Sequence, residues 1–231
     1  MCVSNQEFAY KVATFLASPA LATFAANRSS KCSACNFSTD PVTASQHSLN
    51  CGRGGGPQRR HDMLRDAFAS MFKSAHLPTR IEVRAELPGS GNGGPDIVVQ
   101  DFPNAGQTTL FDVSVINPVQ NHLLARSAAK GLAAAEQREK EKIDKYRATA
   151  EATGARLTPL VFETSGAMGQ HTITTINSFS HCYATRVGTA PPNSLAVHPA
   201  TAPASYWKHI FAVTHAKGSY AMHAAIKARS A

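Results

Sequence analysis

From His61 to Phe162 the hydrophobic pattern switches between a helical and a strand period, and the order of those switches gives a mixed α/β core. Met63, Leu64, Ala67, Phe68, Met71 and Phe72 recur at three and four, the stripe of an amphipathic helix that Pro78 closes. Ile81, Val83 and Ala85 alternate with charged residues as a short strand, and the glycine-rich stretch 89–94 follows as a loop. Ile97–Val99 and Thr109–Ile116 are apolar β-rich runs separated by Phe-Pro-Asn-Ala-Gly, which reads as a hairpin turning at Asn104. Asn121–Ala152, rich in Ala, Glu, Lys and Arg, is the strongest helix of the chain, with Gly154 as its C-cap. Leu157–Phe162 adds another strand.

The flanks differ in character. Residues 1–30 read as a helical lead-in with Phe8, Val12, Phe15 and Leu16 on one side and a break at Pro19. Residues 31–56 are small, polar and cysteine-rich and end in a Gly-Arg-Gly-Gly-Gly run, which lacks the Lys-Ser/Thr of a P-loop and reads as a flexible basic hinge. The core unit spans 57–170. Residues 171–231 form a helical C-terminal extension, with helical patterns over 166–185 and 205–229 joined by a Pro- and Ala-rich linker at 190–204. A length of 231 residues suits one domain with small satellites, and 43% hydrophobic residues suffice for a core.

No run of 18 apolar residues is present, and Met1–Leu21 lacks the basic and apolar regions of a signal peptide, so the expectation is a soluble intracellular protein without a membrane segment. Lys and Arg outnumber Asp and Glu by 23 to 15, giving +8 and favouring polyanionic partners such as nucleic acid.

Three of the five cysteines fall within twenty residues. Cys32, Cys35, His47 and Cys51 follow C-x2-C-x11-H-x3-C, a spacing that can wrap four ligands around a structural zinc ion and leave no position for water. The competing reading is free thiols beside a chance histidine. Cys2 and Cys182 read as buried or idle thiols, the histidines at 171, 181, 198, 209, 215 and 223 have no ligand spacing, and Trp207 reads as packing.

Three acids attract attention: Glu82 in the first strand, Asp96 after Pro95, and Asp112 between Phe111 and Val113. In a hairpin turning at Asn104, positions 96 and 112 are equidistant from the turn, so their carboxylates stand across adjacent strands about 5 Å apart at Cβ. Two anions that close, one of them in an apolar strand, call for a divalent cation or a paired base. Carboxylate oxygens select hard ions such as Mg²⁺ or Mn²⁺, which polarise a phosphodiester and generate its hydroxide nucleophile. The lysine that such sites often carry two residues after the second acid is absent, because position 114 is Ser. Lys142 and Tyr146, four apart on the strong helix, share one face and offer the missing base. The bland alternative makes Asp112 a strand-end acid and Lys142 a solvated lysine.

At these residues the chain resembles the zinc-knuckle and restriction-like endonuclease region of site-specific non-LTR retrotransposon reverse transcriptases. The segments that carry the resemblance are CSAC (32–35), QHSLNCGRGGG (46–56), RRHDMLRDAF (59–68), RIEVRAE (80–86), GGPDIVVQD (93–101), LFDVSVINP (110–118), EKIDKY (141–146) and LTPLVFETSGAMG (157–169). They stand in the family's order and span about 60% of the chain, Cys32 to Gly169. The resemblance implies a PD-(D/E)xK nuclease fold: a mixed sheet flanked by helices, with a CCHC knuckle before it and the lysine moved to a K-x3-Y helix. It implies metal-ligand roles for Asp96 and Asp112, Lys142 as the catalytic lysine and Tyr146 as its support. Glu82 matches an acid that completes such sites, with Asp62 and Asp66 as competitors. Arg59, Arg60 and His61 match a basic patch that contacts DNA phosphates. The implied cofactors are structural Zn and catalytic Mg or Mn, the implied partners are DNA and the element's own RNA, and a DNA substrate makes a nuclear location the expectation.

The family's polymerase domain would precede the knuckle, and about thirty residues stand before Cys32 here, so the expectation is a fragment, a degenerate element or a stand-alone protein. Two other functions compete with a living nuclease. One is a nucleic-acid-binding remnant whose nuclease has decayed, and the other a zinc-stabilised interaction protein whose binding ignores salt.

Overall fold

A computed structural model describes residues 35, 37, 47, 50–82, 94–187 and 203–228, with only the backbone of 54, 203 and 220–228 described. The expectations for residues 1–30, for Val83 and Ala85, and for the linker 190–202 fall outside these residues. A 3-10 turn at Gly52–Gly54 leads into helix α1 (Gly56–Ser74), strands β1 (Thr79–Ile81), β2 (Ile97–Val99) and β3 (Thr109–Ile116), helices α2 (Asn121–Ala129) and α3 (Ala133–Thr153), strand β4 (Arg156–Glu163), and helices α4 (Gln170–Arg186) and α5 (Pro203–Ala228). The strands form one mixed sheet in the order β1-β2-β3-β4, antiparallel up to β3 and parallel between β3 and β4.

The hairpin register is the one read from the sequence. Ile97 pairs with Phe111 and Val99 with Thr109, which sets Asp96 beside Asp112. Parallel strands need a long crossover, and α2 and α3 provide it, bringing β4 into an eight-residue register from Thr109↔Arg156 to Ile116↔Glu163. Pro159 falls opposite Asp112 on β4, which pairs only with β3 among the described strands and so tolerates a residue without an N–H.

Side chains alternate across a strand, so β3 shows a different chemistry to each side. Phe111 and Val113 join Leu64, Phe68, Phe72, Ile97, Leu160 and Phe162 in the main core. Ile176, Phe179, Tyr183, Trp207 and Phe211 belong to the same cluster, so α4 and α5 are part of this core and Trp207 packs as expected. Each such phenylalanine, removed from water, contributes about 1.5–3 kcal/mol. On the opposite face, α2 and α3 bury a smaller cluster of Ile116, Leu123, Ala134, Ala135 and Val161.

Two expectations need correction. The helix read as continuous over 121–152 is broken: α2 ends at Ala129, and Leu132 takes a left-handed φ of 64° before α3 begins. Gly131 weakens the helix at this point, and the break lets the small side chains of Ala133–Ala135 lie flat against the sheet. The Gly-Arg-Gly-Gly-Gly run is a built turn, not a hinge. Gly55 adopts a left-handed φ of 68° that a side chain would resist, Arg59 N–H donates to its carbonyl, and Pro57 sits in the first turn of α1, where its missing N–H is not needed.

No helix among the described residues is long and apolar enough to cross a membrane.

Candidate active site

Asp96, just before β2, and Asp112 on β3 meet helix α3 and the start of α1 around a cleft of about 340 Å³. Asp96, Asp112, Ser114, His61, Lys142 and Tyr146 all line it. Asp96 and Asp112 are each 3% exposed. The backbone of Asp96 is tied on both sides: its N–H donates to Phe111 O at 2.8 Å, and its carbonyl accepts from Glu82 N at 2.9 Å. Asp112 faces α3 because its neighbours Phe111 and Val113 take the core side of β3.

Lys142 and Tyr146, one helical turn apart, both reach Asp112. The ammonium lies 2.8 Å from Asp112 Oδ2, and the Tyr146 hydroxyl hydrogen-bonds the same carboxylate. Lys145 continues the chain outward, donating to Tyr146 Oη at 2.9 Å with its Nζ 4.6 Å from the ring centroid. Ser114 also lines the cleft.

Asp96 has different partners. Its Oδ2 accepts the Val113 N–H at 2.7 Å and lies 3.0 Å from His61 Nε2. The other ring nitrogen of His61 is 3.3 Å from Asp62 Oδ1, so both contacts are hydrogen bonds when the imidazole is protonated. Burial works against that charge, but the hydrogen bonds and charges of Asp96 and Asp62 outweigh it and raise the His61 pKa.

These surroundings push the two acids apart. Burial drives Asp96 upward, yet the bond and charge of His61, the Val113 N–H and the charge of Lys142 carry it below the ordinary carboxylate value. For Asp112 burial dominates, and with the negative charge of Asp96 it outweighs Lys142 and Tyr146, so its pKa is raised. Asp112 resists ionisation chiefly because it is buried, and a cation bound beside it would favour its charged form. Two neighbouring buried carboxylates could offer oxygen ligands to a hard divalent ion.

Glu82, Asp62 and Asp66, the three candidates for a further acid, do not line the cleft. All three pair with Arg65 of α1: Asp62 at 3.2 Å, Asp66 at 2.9 Å, and Glu82 in a close ion pair. Glu82 comes next to Asp96 only through its backbone. The basic patch also divides. Arg59 is exposed, whereas Arg60 is 2% exposed, its stem laid against Gly218 of α5. His61 turns inward to Asp96. A signal for this was present, since His61 lies three and seven residues before Leu64 and Phe68 on the stripe that faces the sheet.

Near the start of the described chain, the ligand atoms of Cys35, His47 and Cys51 lie within 4.8 Å of one another and could hold a metal ion. Cys35 Sγ is 3.0 Å from His47 Nε2, and the Phe37 ring stacks on His47 at 4.7 Å. Cys32, the expected fourth ligand, falls outside the described residues.

No protein-family model matches the chain, and no curated protein is significantly similar to it. The case for a function therefore rests on the residues themselves and on the resemblance they carry.

Proposed function

We propose that the chain is a divalent-metal-dependent DNA endonuclease with a restriction-like core, related to the nuclease region of non-LTR retrotransposon proteins. The observation that carries this reading is the convergence of Asp96, Asp112, Lys142 and Tyr146, drawn from the approach to β2, from β3 and from one helix, on a single cleft. Asp96 and Asp112 would hold Mg²⁺ or Mn²⁺, which supplies a polarised phosphodiester and a water acidic enough to attack it. Lys142 keeps a positive charge inside the cleft, where it can oppose the negative charge that builds on the phosphoryl oxygens. Tyr146 and Lys145 fix the orientation of the Asp112 carboxylate. Exposed cations such as Arg59, backed by a net charge of +8, attract the DNA backbone, and a DNA substrate places the protein's work in the nucleus. Cys35, His47 and Cys51, with Cys32, would hold a structural zinc ion.

The test is nicking of a supercoiled plasmid with and without Mg²⁺ or Mn²⁺ by the wild-type chain and the Asp96→Ala/Asp112→Ala variant. Metal-dependent nicking that the variant lacks is the expected result. DNA binding without cleavage in any metal would replace this reading with that of a decayed, DNA-binding remnant. Binding that ignores salt would remove the nucleic-acid role as well, because phosphate contacts lose affinity steeply as salt rises.

A further inference from the structure

The sheet fixes where Asp96 sits, but the direction of its carboxylate depends on what its oxygens accept. Its Oδ2 accepts the Val113 N–H at 2.7 Å and meets His61 Nε2 at 3.0 Å, which reaches across from α1 over 35 residues of sequence. The imidazole is itself held. Its Nδ1 is 3.3 Å from Asp62, which accepts from Gln58 at 2.8 Å and pairs with Arg65 at 3.2 Å.

We propose that His61 is a positioning residue that aims Asp96 at the divalent metal; this inference rests on the metal-dependent nuclease reading of the cleft. With Nε2 given to Asp96 and Nδ1 facing Asp62, neither ring nitrogen is left to ligate a metal or contact a DNA phosphate. The role therefore differs from the phosphate contact that its place in the Arg-Arg-His run suggests. Outer partners of metal ligands are worth about 10–100-fold in metal affinity or activity, which sets the expected size of the effect. Asp62 acts one step further out by holding the ring.

The experiment uses the full chain and Mn²⁺ as the probe. Free Mn²⁺ is followed by electron paramagnetic resonance and nicking is measured across a Mn²⁺ series, for wild type, His61→Ala, His61→Gln and Asp96→Ala. His61→Ala is expected to bind Mn²⁺ about 10–100-fold more weakly and to regain most of its kcat at saturating Mn²⁺. His61→Gln, whose side-chain amide can donate to Asp96, is expected to recover most of the lost affinity. If His61→Ala loses its cooperative melt, His61→Phe keeps the ring bulk without the nitrogens and should show the same weakening. The salt dependence of DNA binding should not change.

Wild-type Mn²⁺ affinity in His61→Ala or His61→Phe, with binding lost in Asp96→Ala, overturns the role of His61 and leaves the nuclease reading standing. An unchanged metal affinity with a salt slope lower by about one makes His61 a phosphate contact instead. Absence of Mn²⁺ binding and of nicking in the wild type removes the underlying reading as well.

Discussion

Phe111 and Asp112 are neighbours on β3, yet they serve opposite sides of the sheet. Phe111 is fully buried, 4.9 Å from the ring of Phe72, in a cluster that draws on α1, α4 and α5. Asp112 is almost as buried, but it faces Lys142 and Tyr146 across a cleft. The first face gains stability by excluding water from aromatic surface. The second keeps two acids close and relies on side-chain partners, and in our reading a metal, to hold them. A single β-strand thus separates the part of the molecule that stabilises the fold from the part that, in our reading, does chemistry, and substitutions on the two sides should be separable.

The sharpest way to break that comparison is to change the two neighbours one at a time. Phe111→Ala removes a buried ring and is expected to lose about 3–5 kcal/mol in denaturant unfolding. Asp112→Asn should bring nicking to background while shifting stability by less than about 2 kcal/mol, since repulsion from Asp96 is relieved and Lys142, with its side chain 17% exposed, can turn toward water. Equal losses of stability in the two variants would show that the polar face also supports the fold.

A smaller effect tests how the apolar side reaches the site. Gly218 lies where α5 meets α1, and a Cβ there would stand 3.1 Å from Arg60 Cα and 2.9 Å from Arg60 Cγ. Backbone cannot yield as a side chain can, so Gly218→Ala should force the helices apart and lose about 1–3 kcal/mol. Because His61 follows Arg60 on α1, the same variant should weaken Mn²⁺ binding in a titration. Loss of stability with metal binding intact would show that the two faces are insulated from each other.

Much of this arrangement was legible in the sequence because it follows from local rules. Equal distances from Asn104 set the register that brings Asp96 beside Asp112, and the four-residue spacing of Lys142 and Tyr146 puts both on one face of α3. What could not be read depends on contacts between distant segments. The break before α3 comes from fitting three alanines against the sheet, with Leu132 taking a left-handed turn to allow it. Arg60 reads as exposed charge until Gly218, far along the chain, provides a place for its stem. Glu82 reads as an acid of the first strand, but β1 ends at Ile81, Glu82 takes a left-handed φ of 55°, and Arg65 on α1 claims its carboxylate. His61 carried two signals at once, a basic run and a sheet-facing stripe, and the stripe decided its orientation.

The smallest expected effect concerns Glu163, at the end of β4, where the smaller cluster meets the start of α3. The residue is 7% exposed, and its Oε1 has no hydrogen-bond partner among the described residues. Burial raises its pKa, and the Ala135 N–H and Ser165 hydroxyl offset this only in part. Below the unfolded-state pKa both states are protonated and the burial carries no electrostatic cost. As pH rises through that value the unfolded chain ionises first, so the folded state binds more protons and stability falls until the folded-state pKa is passed. Glu163→Gln has no charge to lose. Its melting temperature relative to wild type should therefore climb from about pH 4 toward neutrality and then level off, the other carboxylates cancelling in the difference. A difference that stays flat or falls over that range would mean that Glu163 ionises freely in the folded protein, and that the start of α3 stabilises its charge more than burial penalises it.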